Sequence, residues 1–173
     1  MQKITVRPES ADDLRAIDVV NLSAFEGDAE AQLVSALRAT PGFVPELSLV
    51  AEFNGRIVGH VLLTKVRYLC PSQELSVLAL APMSVVPSQS HRGIGAELVN
   101  AAVQRARDLG FPAIIVAGQP EYYARWGFAP GRNWQIQTTP PVGSELLTVM
   151  ELVPNTLPKA GRVIYPALFA AIL

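Results

Sequence analysis

The chain has 173 residues, of which 50% are hydrophobic and 17% are charged, and its formal net charge is −1. This length suits one domain with a single core, and the composition excludes an intrinsically disordered chain. The near-neutral charge argues against a broad basic face for nucleic acid. The single cysteine, Cys70, excludes an internal disulfide and favours a reducing compartment.

Targeting and membrane signals are weak throughout the sequence. The chain begins without the basic and apolar leader of a secreted protein, and no apolar stretch approaches the roughly 20 residues that cross a bilayer. We therefore expect a cytoplasmic protein with neither a membrane nor a nucleic acid as partner. No repeat or linker interrupts the sequence, so residues 1–173 are expected to form one domain.

The first quarter of the chain predicts one strand followed by two helices. Lys3–Arg7 alternates like a strand, and Ser10 is placed to cap a helix whose first turn carries Asp12 and Asp13. A second helix follows Gly27. The predicted inward faces of the two helices are Leu14, Ile17, Val20 and Leu22 in the first, and Ala29, Leu33, Ala36 and Leu37 in the second.

Three strands are predicted next. Leu47–Phe53 and Arg56–Tyr68 flank Asn54-Gly55, which is a strong hairpin signal. Leu75–Val86 follows as a third strand, antiparallel to the second. Its Pro82 has no N–H to donate, so the strand must bulge, splay or lie at an edge there.

The second half of the chain begins with a well-defined amphipathic helix that ends at Gly110. Its apolar stripe consists of Ile94, Leu98, Ala102, Ala106 and Leu109. Ala113–Ala117 is a short strand that should run parallel to Leu75–Val86, because a helix connects the two. A short helix is predicted over Pro120–Trp126. A strand starts at Phe128 and is broken at Pro140-Pro141, and Leu146–Val153 is the last predicted strand.

The loop Val86–Gly95 joins the third strand to the amphipathic helix. Its two glycines and the free N–H groups of the first helical turn predict a cradle for a phosphate or pyrophosphate. A P-loop is excluded because neither glycine precedes a Lys, and a dinucleotide fingerprint is excluded because Leu98 occupies the place of the third glycine. On its own the loop is equally typical of a tight turn without a ligand. The candidate binding residues are His91, Arg92, Gly93, Ile94, Gly95 and Ala96.

A second motif gives the loop its meaning. Two segments of the chain together resemble two motifs of the GNAT superfamily of N-acetyltransferases. They are Ser90-His-Arg-Gly-Ile-Gly95, which follows Val85-Val86-Pro87, and Tyr123-Ala-Arg-Trp-Gly-Phe128. The resemblance covers residues 3–130 and implies an α/β fold with a splayed mixed sheet flanked by helices. Residues 131–173 would then be an acceptor-side or packing segment. The family has Gln or Arg where this chain has Ser90, and Gln89 lies one place earlier. Either a side-chain contact to the pyrophosphate is missing, or His91 or Arg92 replaces it.

The resemblance implies acetyl-CoA as co-substrate and direct transfer to an amine in a ternary complex. The backbone of Met83, Ser84, Val85 and Val86 would line the pantetheine and the acetyl group. Tyr123 would assist the leaving CoA thiolate. A phenol (pKa about 10) is a weaker acid than a thiol (pKa about 8.5), so full proton transfer is uphill by about 2 kcal/mol. A hydrogen bond or a relay through water is therefore expected.

The base that deprotonates the amine is less clearly indicated. Glu26, Glu30 and Glu74 are candidates, and Glu30 is our choice among them. His60 lies within a strand and is interpreted as a structural histidine. Loss of the proton directly to water is the other alternative. No metal is expected, because no His/Cys/Asp cluster has the spacing of a metal site.

The resemblance also bears on the acceptor. It implies a primary amine of a small molecule or peptide, selected in such folds by the 27–45 region and the C-terminal third. A non-catalytic acyl-CoA-binding regulatory module is the main alternative, and binding of another phosphate-bearing ligand is a third. The apolar stretch Leu152–Leu173 could pack on the core or form a homodimer contact.

Overall fold

The computed structural model describes residues 3–173, in which nine strands form one sheet with helices on both faces. The strands are β1 Thr5–Pro8, β2 Phe43–Phe53, β3 Arg56–Cys70, β4 Gln73–Val85, β5 Ala113–Ala117, β6 Ala129–Pro130, β7 Gln137–Thr139, β8 Leu147–Glu151 and β9 Arg162–Ile164. The helices are α1 Leu14–Ala24, α2 Ala29–Leu37, α3 Ile94–Asp108 and α4 Pro120–Ala124. Short 3-10 turns span Ala11–Asp13, Pro87–Gln89, Gly131–Trp134 and Ala167–Ala171.

The sheet has the order β1-β2-β3-β4-β5-β8-β6, with β9 pairing β3 and β7. The predicted hairpin is confirmed, since β2 and β3 are antiparallel and join at Asn54 and Gly55, which both have positive φ. The parallel pairing of β4 with β5 is also confirmed. A mixed α/β fold with an open sheet is therefore established.

The sheet opens between β4 and β5. These strands pair only where Leu78 and Ala79 face Ile114 and Ile115. The register between β3 and β4 shifts in the same region, so that β4 has one extra residue beside Pro82. The sequence predicted a bulge, a splay or an edge at this proline, whose missing N–H cannot join a ladder, and the structure has a bulge there where the sheet opens.

Each face of the sheet has its own apolar core. The α3 face buries side chains such as Leu63, Leu80 and Leu98, and the α1–α2 face buries Ile17 and Leu62 among others. Both cores contain residues of β2–β5, so the two faces together fix the strands that flank the opening. None of the helices in residues 3–173 is both long and apolar enough to cross a bilayer.

Four predicted inward-facing residues are exposed instead: Leu14, Leu22, Ala36 and Leu109. In α1 the buried set is Ile17, Val20 and Asn21, because Asn21 turns inward to accept a hydrogen bond from β4. Leu22 then lies about 100° further round the helix, towards solvent. Leu109 follows the last residue of α3 and is 47% exposed.

The C-terminal segment differs most from its prediction. Leu146–Val153 is not the last strand, because β9 follows it and pairs with β3 beside Tyr68. The apolar tail packs on the core, which was one of the two arrangements expected for it, and its residues Val163, Tyr165 and Phe169 are buried. The 3-10 turn that holds Phe169 lies against α2.

Candidate active site

A pocket of about 670 Å³ lies where the loop after β4 meets the start of α3. Of the residues predicted to bind the cofactor, the pocket is lined by Met83, Ser84, Val85, His91, Gly93, Ile94, Gly95 and Ala96. The residues that sequence reasoning did not predict there are Ala24, Phe25, Gln89, Ser90, Gln119, Tyr122 and Arg125. The α1 residues could not be placed from sequence, because a break between helices carries no motif. Arg125 and Tyr122, by contrast, lie within or beside the second motif.

The loop is shaped to present backbone donors. His91 and Gly93 have positive φ, and Gly93 is the residue that precedes α3. The N–H groups of Ile94, Gly95 and Ala96 belong to the first helical turn, where no intrahelical acceptor exists. Together with the helix dipole they favour an anion, so this end of the pocket fits a phosphate group.

Two predicted binding residues do not line this pocket. The guanidinium carbon of Arg92 lies 5.5 Å from the centre of the Phe53 ring, at the β2–β3 hairpin. Val86 packs against the core on the α3 face. The hydroxyl of Ser90 donates to the carbonyl of Pro87 over 2.9 Å, so it closes the loop upon itself.

The open edge of β4 carries free backbone donors. The N–H of Val86 donates to the carbonyl of Val58 on β3 over 2.9 Å. Because backbone groups alternate between the two edges of a strand, those of Val86 and Ser84 face β3. The N–H groups of Met83 and Val85 therefore point to the opposite edge. No strand of the described chain pairs with β4 at that point.

A second pocket of about 200 Å³ lies in the opening between β4 and β5. It is lined by Phe25, Glu30, Leu80, Ala81, Pro82, Met83, Val116, Ala117, Gly118, Gln119, Tyr123 and Ile172. Phe25, Met83 and Gln119 line both pockets, so the two are contiguous. Most of the residues that line the smaller pocket have apolar side chains, but its exposed surface is as much polar as apolar, and Glu30 and Tyr123 are its acidic side chains.

Tyr123 is held firmly in an aromatic group. Its ring meets Tyr122 edge-on at 5.0 Å between centres and meets Phe128 at 5.6 Å. Burial, and secondarily the neighbouring Tyr122, raises the pKa of Tyr123 well above its ordinary value. The phenol therefore keeps its proton and serves as a hydrogen-bond donor, since its full ionisation is now even less favourable.

Of the three candidate bases, only Glu30 lies at this opening. Its Oε2 is buried and has no hydrogen-bond partner among the described residues. Glu26 is exposed and lines neither pocket. Glu74 lies at the far end of β4 in an ion pair with Arg67 at 2.5 Å, nine residues or about 30 Å along the strand from Met83. Glu74 is therefore too far from this opening to serve as the base.

His60 is a structural residue, as interpreted from the sequence. It is fully buried, and its Nε2 lies 2.9 Å from the hydroxyl of Ser48. Burial, with a smaller contribution from Arg38, lowers the pKa of His60 to about 3, so the imidazole is neutral. Ser48 also bonds Glu9, which pairs with Arg38 at 3.0 Å.

Asn21 connects the end of α1 to the strand that lines the larger pocket. Its Oδ1 accepts a hydrogen bond from Ser84 over 3.0 Å, and its Nδ2 donates to the carbonyl of Ile17. Both residues are buried. The end of α1 is thereby tied to β4 next to the free donors of Met83 and Val85. No group of three His, Cys, Asp or Glu side chains arranged for a metal occurs within residues 3–173.

Comparisons with known proteins agree with this architecture. The chain is 32% identical over 120 residues to an uncharacterized N-acetyltransferase, YjhQ, from Escherichia coli; that alignment covers 69% of this chain and 65% of YjhQ, just under two thirds of its length. It is also 32% identical over 124 residues to the uncharacterized N-acetyltransferase YhbS of the same organism, covering 71% of this chain and 72% of YhbS.

Solved structures give the same result over nearly the whole chain. The crystal structure of Escherichia coli YhbS in complex with CoA superposes with a TM-score of 0.87 at 25% identity, covering 98% of this chain and 93% of that one. A GNAT family acetyltransferase from Brucella melitensis in complex with acetyl-CoA superposes with a TM-score of 0.76 at 26% identity, covering 98% and 99%. The sequence profile of the Acetyltransferase (GNAT) family matches residues 14–129. The splayed sheet and the loop at the start of α3 agree with this match, which shows that the chain belongs to the GNAT family of acetyltransferases.

Proposed function

We propose that this protein transfers the acetyl group of acetyl-CoA to a primary amine of a small molecule or peptide. The observation that carries the proposal is the meeting of two pockets at the open edge of β4. One pocket ends at an anion-binding helix start, and the other contains Glu30 and Tyr123. The CoA and acetyl-CoA complexes of two similar GNAT structures support the choice of donor.

The larger pocket would hold CoA. The N–H groups at the start of α3 would bind the pyrophosphate, and pantetheine would run along the edge of β4 past Val85 and Met83. The acetyl group would then lie where Phe25, Met83 and Gln119 join the two pockets. The residues present fit this ligand, because the phosphate end is lined by backbone donors and the inner end by apolar side chains.

The transfer would proceed by direct attack. The nitrogen lone pair forms a bond to the thioester carbonyl carbon, and negative charge develops on the carbonyl oxygen. A backbone N–H of Met83 or Val85 would donate to that oxygen, an interaction whose loss typically raises a barrier by about 3–4 kcal/mol. The C–S bond then breaks with its electron pair going to sulfur, and Tyr123 would donate a hydrogen bond to the thiolate.

Glu30 would accept the proton that the amine loses. Its buried, unpartnered Oε2 has no competing donor among the described residues. A carboxylate in this pocket also attracts a protonated amine, so the same group would bind the acceptor and then deprotonate it. A compact acceptor with one ammonium group fits these surroundings.

The test is a screen of small amines and peptides with acetyl-CoA, in which release of free thiol is measured together with acetylated product by mass spectrometry. We expect at least one primary amine to be acetylated. Acetyl-CoA binding without thiol release for any acceptor would instead support the non-catalytic acyl-CoA-binding module. We further propose that the protein acts in the cytoplasm without a metal; homodimerisation remains a prediction, which light scattering of the purified protein can test.

A further inference from the structure

We propose that Arg125 supplies the charged contact to the pyrophosphate of CoA that Ser90 does not make. The inference rests on the proposed binding of acetyl-CoA in the larger pocket. It assigns a binding role to a residue outside the loop, on the opposite wall formed by α4 and the residue that follows it.

The loop itself offers no guanidinium to the pocket. The hydroxyl of Ser90 is bonded to Pro87, and Arg92 lies over Phe53. Gln89 and His91 do line the pocket, and the buried Oε1 of Gln89 has no partner among the described residues. Backbone N–H groups supply partial charges only, so a cation from elsewhere in the pocket would strengthen the binding of a doubly charged pyrophosphate there.

Among the described residues that line this pocket, Arg125 is the one that carries a guanidinium. Its carbon lies 4.4 Å from the centre of the Tyr122 ring and 4.8 Å from that of Trp126. Its Nε donates to the carbonyl of Tyr122 over 3.2 Å. These contacts use the flat face and one nitrogen, and no carboxylate among residues 3–173 forms an ion pair with the guanidinium.

Tyr122 connects this guanidinium to the start of α3. The ring hydroxyl lies so close to Gly95 that a Cβ on that residue would be 2.5 Å from it. Arg125 is therefore stacked on a ring whose other end touches the first turn of the helix. No Asp or Glu side chain lines the pocket among the described residues, so nothing acidic there competes with a phosphate.

The chemistry of the group suits a pyrophosphate. A guanidinium presents paired donors in one plane and remains charged at all ordinary pH values, and stacking holds that plane in place before the ligand arrives. A hydrogen bond to a charged partner contributes enough that its loss should weaken binding by about 10- to 100-fold.

The experiment measures binding of acetyl-CoA and of acetyl-dephospho-CoA, which keeps the pyrophosphate and lacks the 3′-phosphate, by calorimetry. The proteins are the unmodified chain, Arg125→Gln, Arg125→Lys and a control, Arg107→Gln. Arg107 is exposed, 14 residues after Gly93 and so about 20 Å along α3. Thermal unfolding of each variant is recorded in parallel.

We expect Arg125→Gln to weaken both ligands about equally, Arg125→Lys to retain part of the affinity, and Arg107→Gln to change neither. The difference between the unmodified chain and Arg125→Gln should shrink as salt increases. Unchanged affinity in Arg125→Gln, or a loss limited to the ligand with a 3′-phosphate, would overturn the inference while leaving the proposed donor intact. Failure of the unmodified protein to bind either ligand would instead overturn the proposed function.

Discussion

At the scale of single residues, Tyr123 is the side chain whose chemistry is most constrained by its surroundings. Burial holds its phenol protonated, so the hydroxyl can donate a hydrogen bond at all ordinary pH values. We expect Tyr123→Phe to lower kcat by about 100-fold, within the usual range for a lost proton donor, with the Kd for acetyl-CoA unchanged. Steady-state kinetics and calorimetry together test this.

A matched control is available for that substitution. Tyr165 is also buried, its hydroxyl has no partner among the described residues, and it lines neither pocket. Tyr165→Phe should therefore leave kcat unchanged. If both variants kept full turnover, the role of Tyr123 as a donor would be contradicted.

Glu30 gives a separate residue-scale prediction. Glu30→Gln keeps the size of the side chain but cannot accept a proton, so kcat/KM for the amine should fall by about 100-fold or more while acetyl-CoA binding is retained. Glu26→Gln, on the exposed turn before α2, is the matched control. Equal kinetics for Glu30→Gln and Glu26→Gln would favour proton loss directly to water.

At the scale of elements, the start of α3 depends on a contact between helices. Gly95→Ala places a methyl group against the Tyr122 hydroxyl, and the Tyr122 ring is packed between Tyr123 and Trp126 and cannot move freely. We expect Gly95→Ala to weaken acetyl-CoA binding and to lower the free energy of unfolding by about 1–3 kcal/mol, as overpacking does.

Adding Tyr122→Phe removes the clashing oxygen. The double variant should recover part of the stability lost in Gly95→Ala, which a double-mutant cycle of chemical denaturation measures. Additive losses in that cycle would show that the close approach of Tyr122 is not what requires glycine at this position.

Element order could be predicted where local signals agree, and the reasons for the failures are physical. The hairpin at Asn54-Gly55, the α3 stripe and the strand broken at Pro82 each combine two signals in one segment. Asn21 could not be predicted as buried, because its partner Ser84 is 63 residues away in sequence. The three-residue strand β9 likewise forms by pairing with β3, and a segment this short shows no recognisable alternation of apolar and polar residues.

The candidate site divides in the same way. Its loop and Tyr123 lie in motifs and were predicted, whereas Phe25 and Ile172 reach the smaller pocket only through packing of distant segments. Glu30 was one of three candidate carboxylates, and only the fold separates them, because it brings α2 to the opening beside Met83 and leaves Glu74 at the other end of β4.

At the scale of the whole molecule, the buried polar layer beneath α1 predicts how stability depends on pH. His60 is neutral in the folded protein, with a pKa of about 3, and has its ordinary pKa of 6.5 once unfolded. Between these values the unfolded chain binds more protons at His60, so the contribution of His60 to stability is fully present above pH 6.5 and is lost progressively on acidification. The slope approaches about 1.4 kcal/mol per pH unit.

Asp13 contributes in a lower range. Its hydrogen bonds to Arg7 lower its pKa from 3.8 to about 2, so its stabilisation is lost only as the pH falls through that interval. Chemical denaturation between pH 5 and 6.5 therefore isolates His60. His60→Gln should flatten the slope in this window, whereas His91→Gln, at the exposed second histidine, should retain it. Because the slope and not the absolute stability is compared, the test holds even if His60→Gln is less stable, and an unchanged slope would mean that the buried imidazole is not the group that titrates on unfolding.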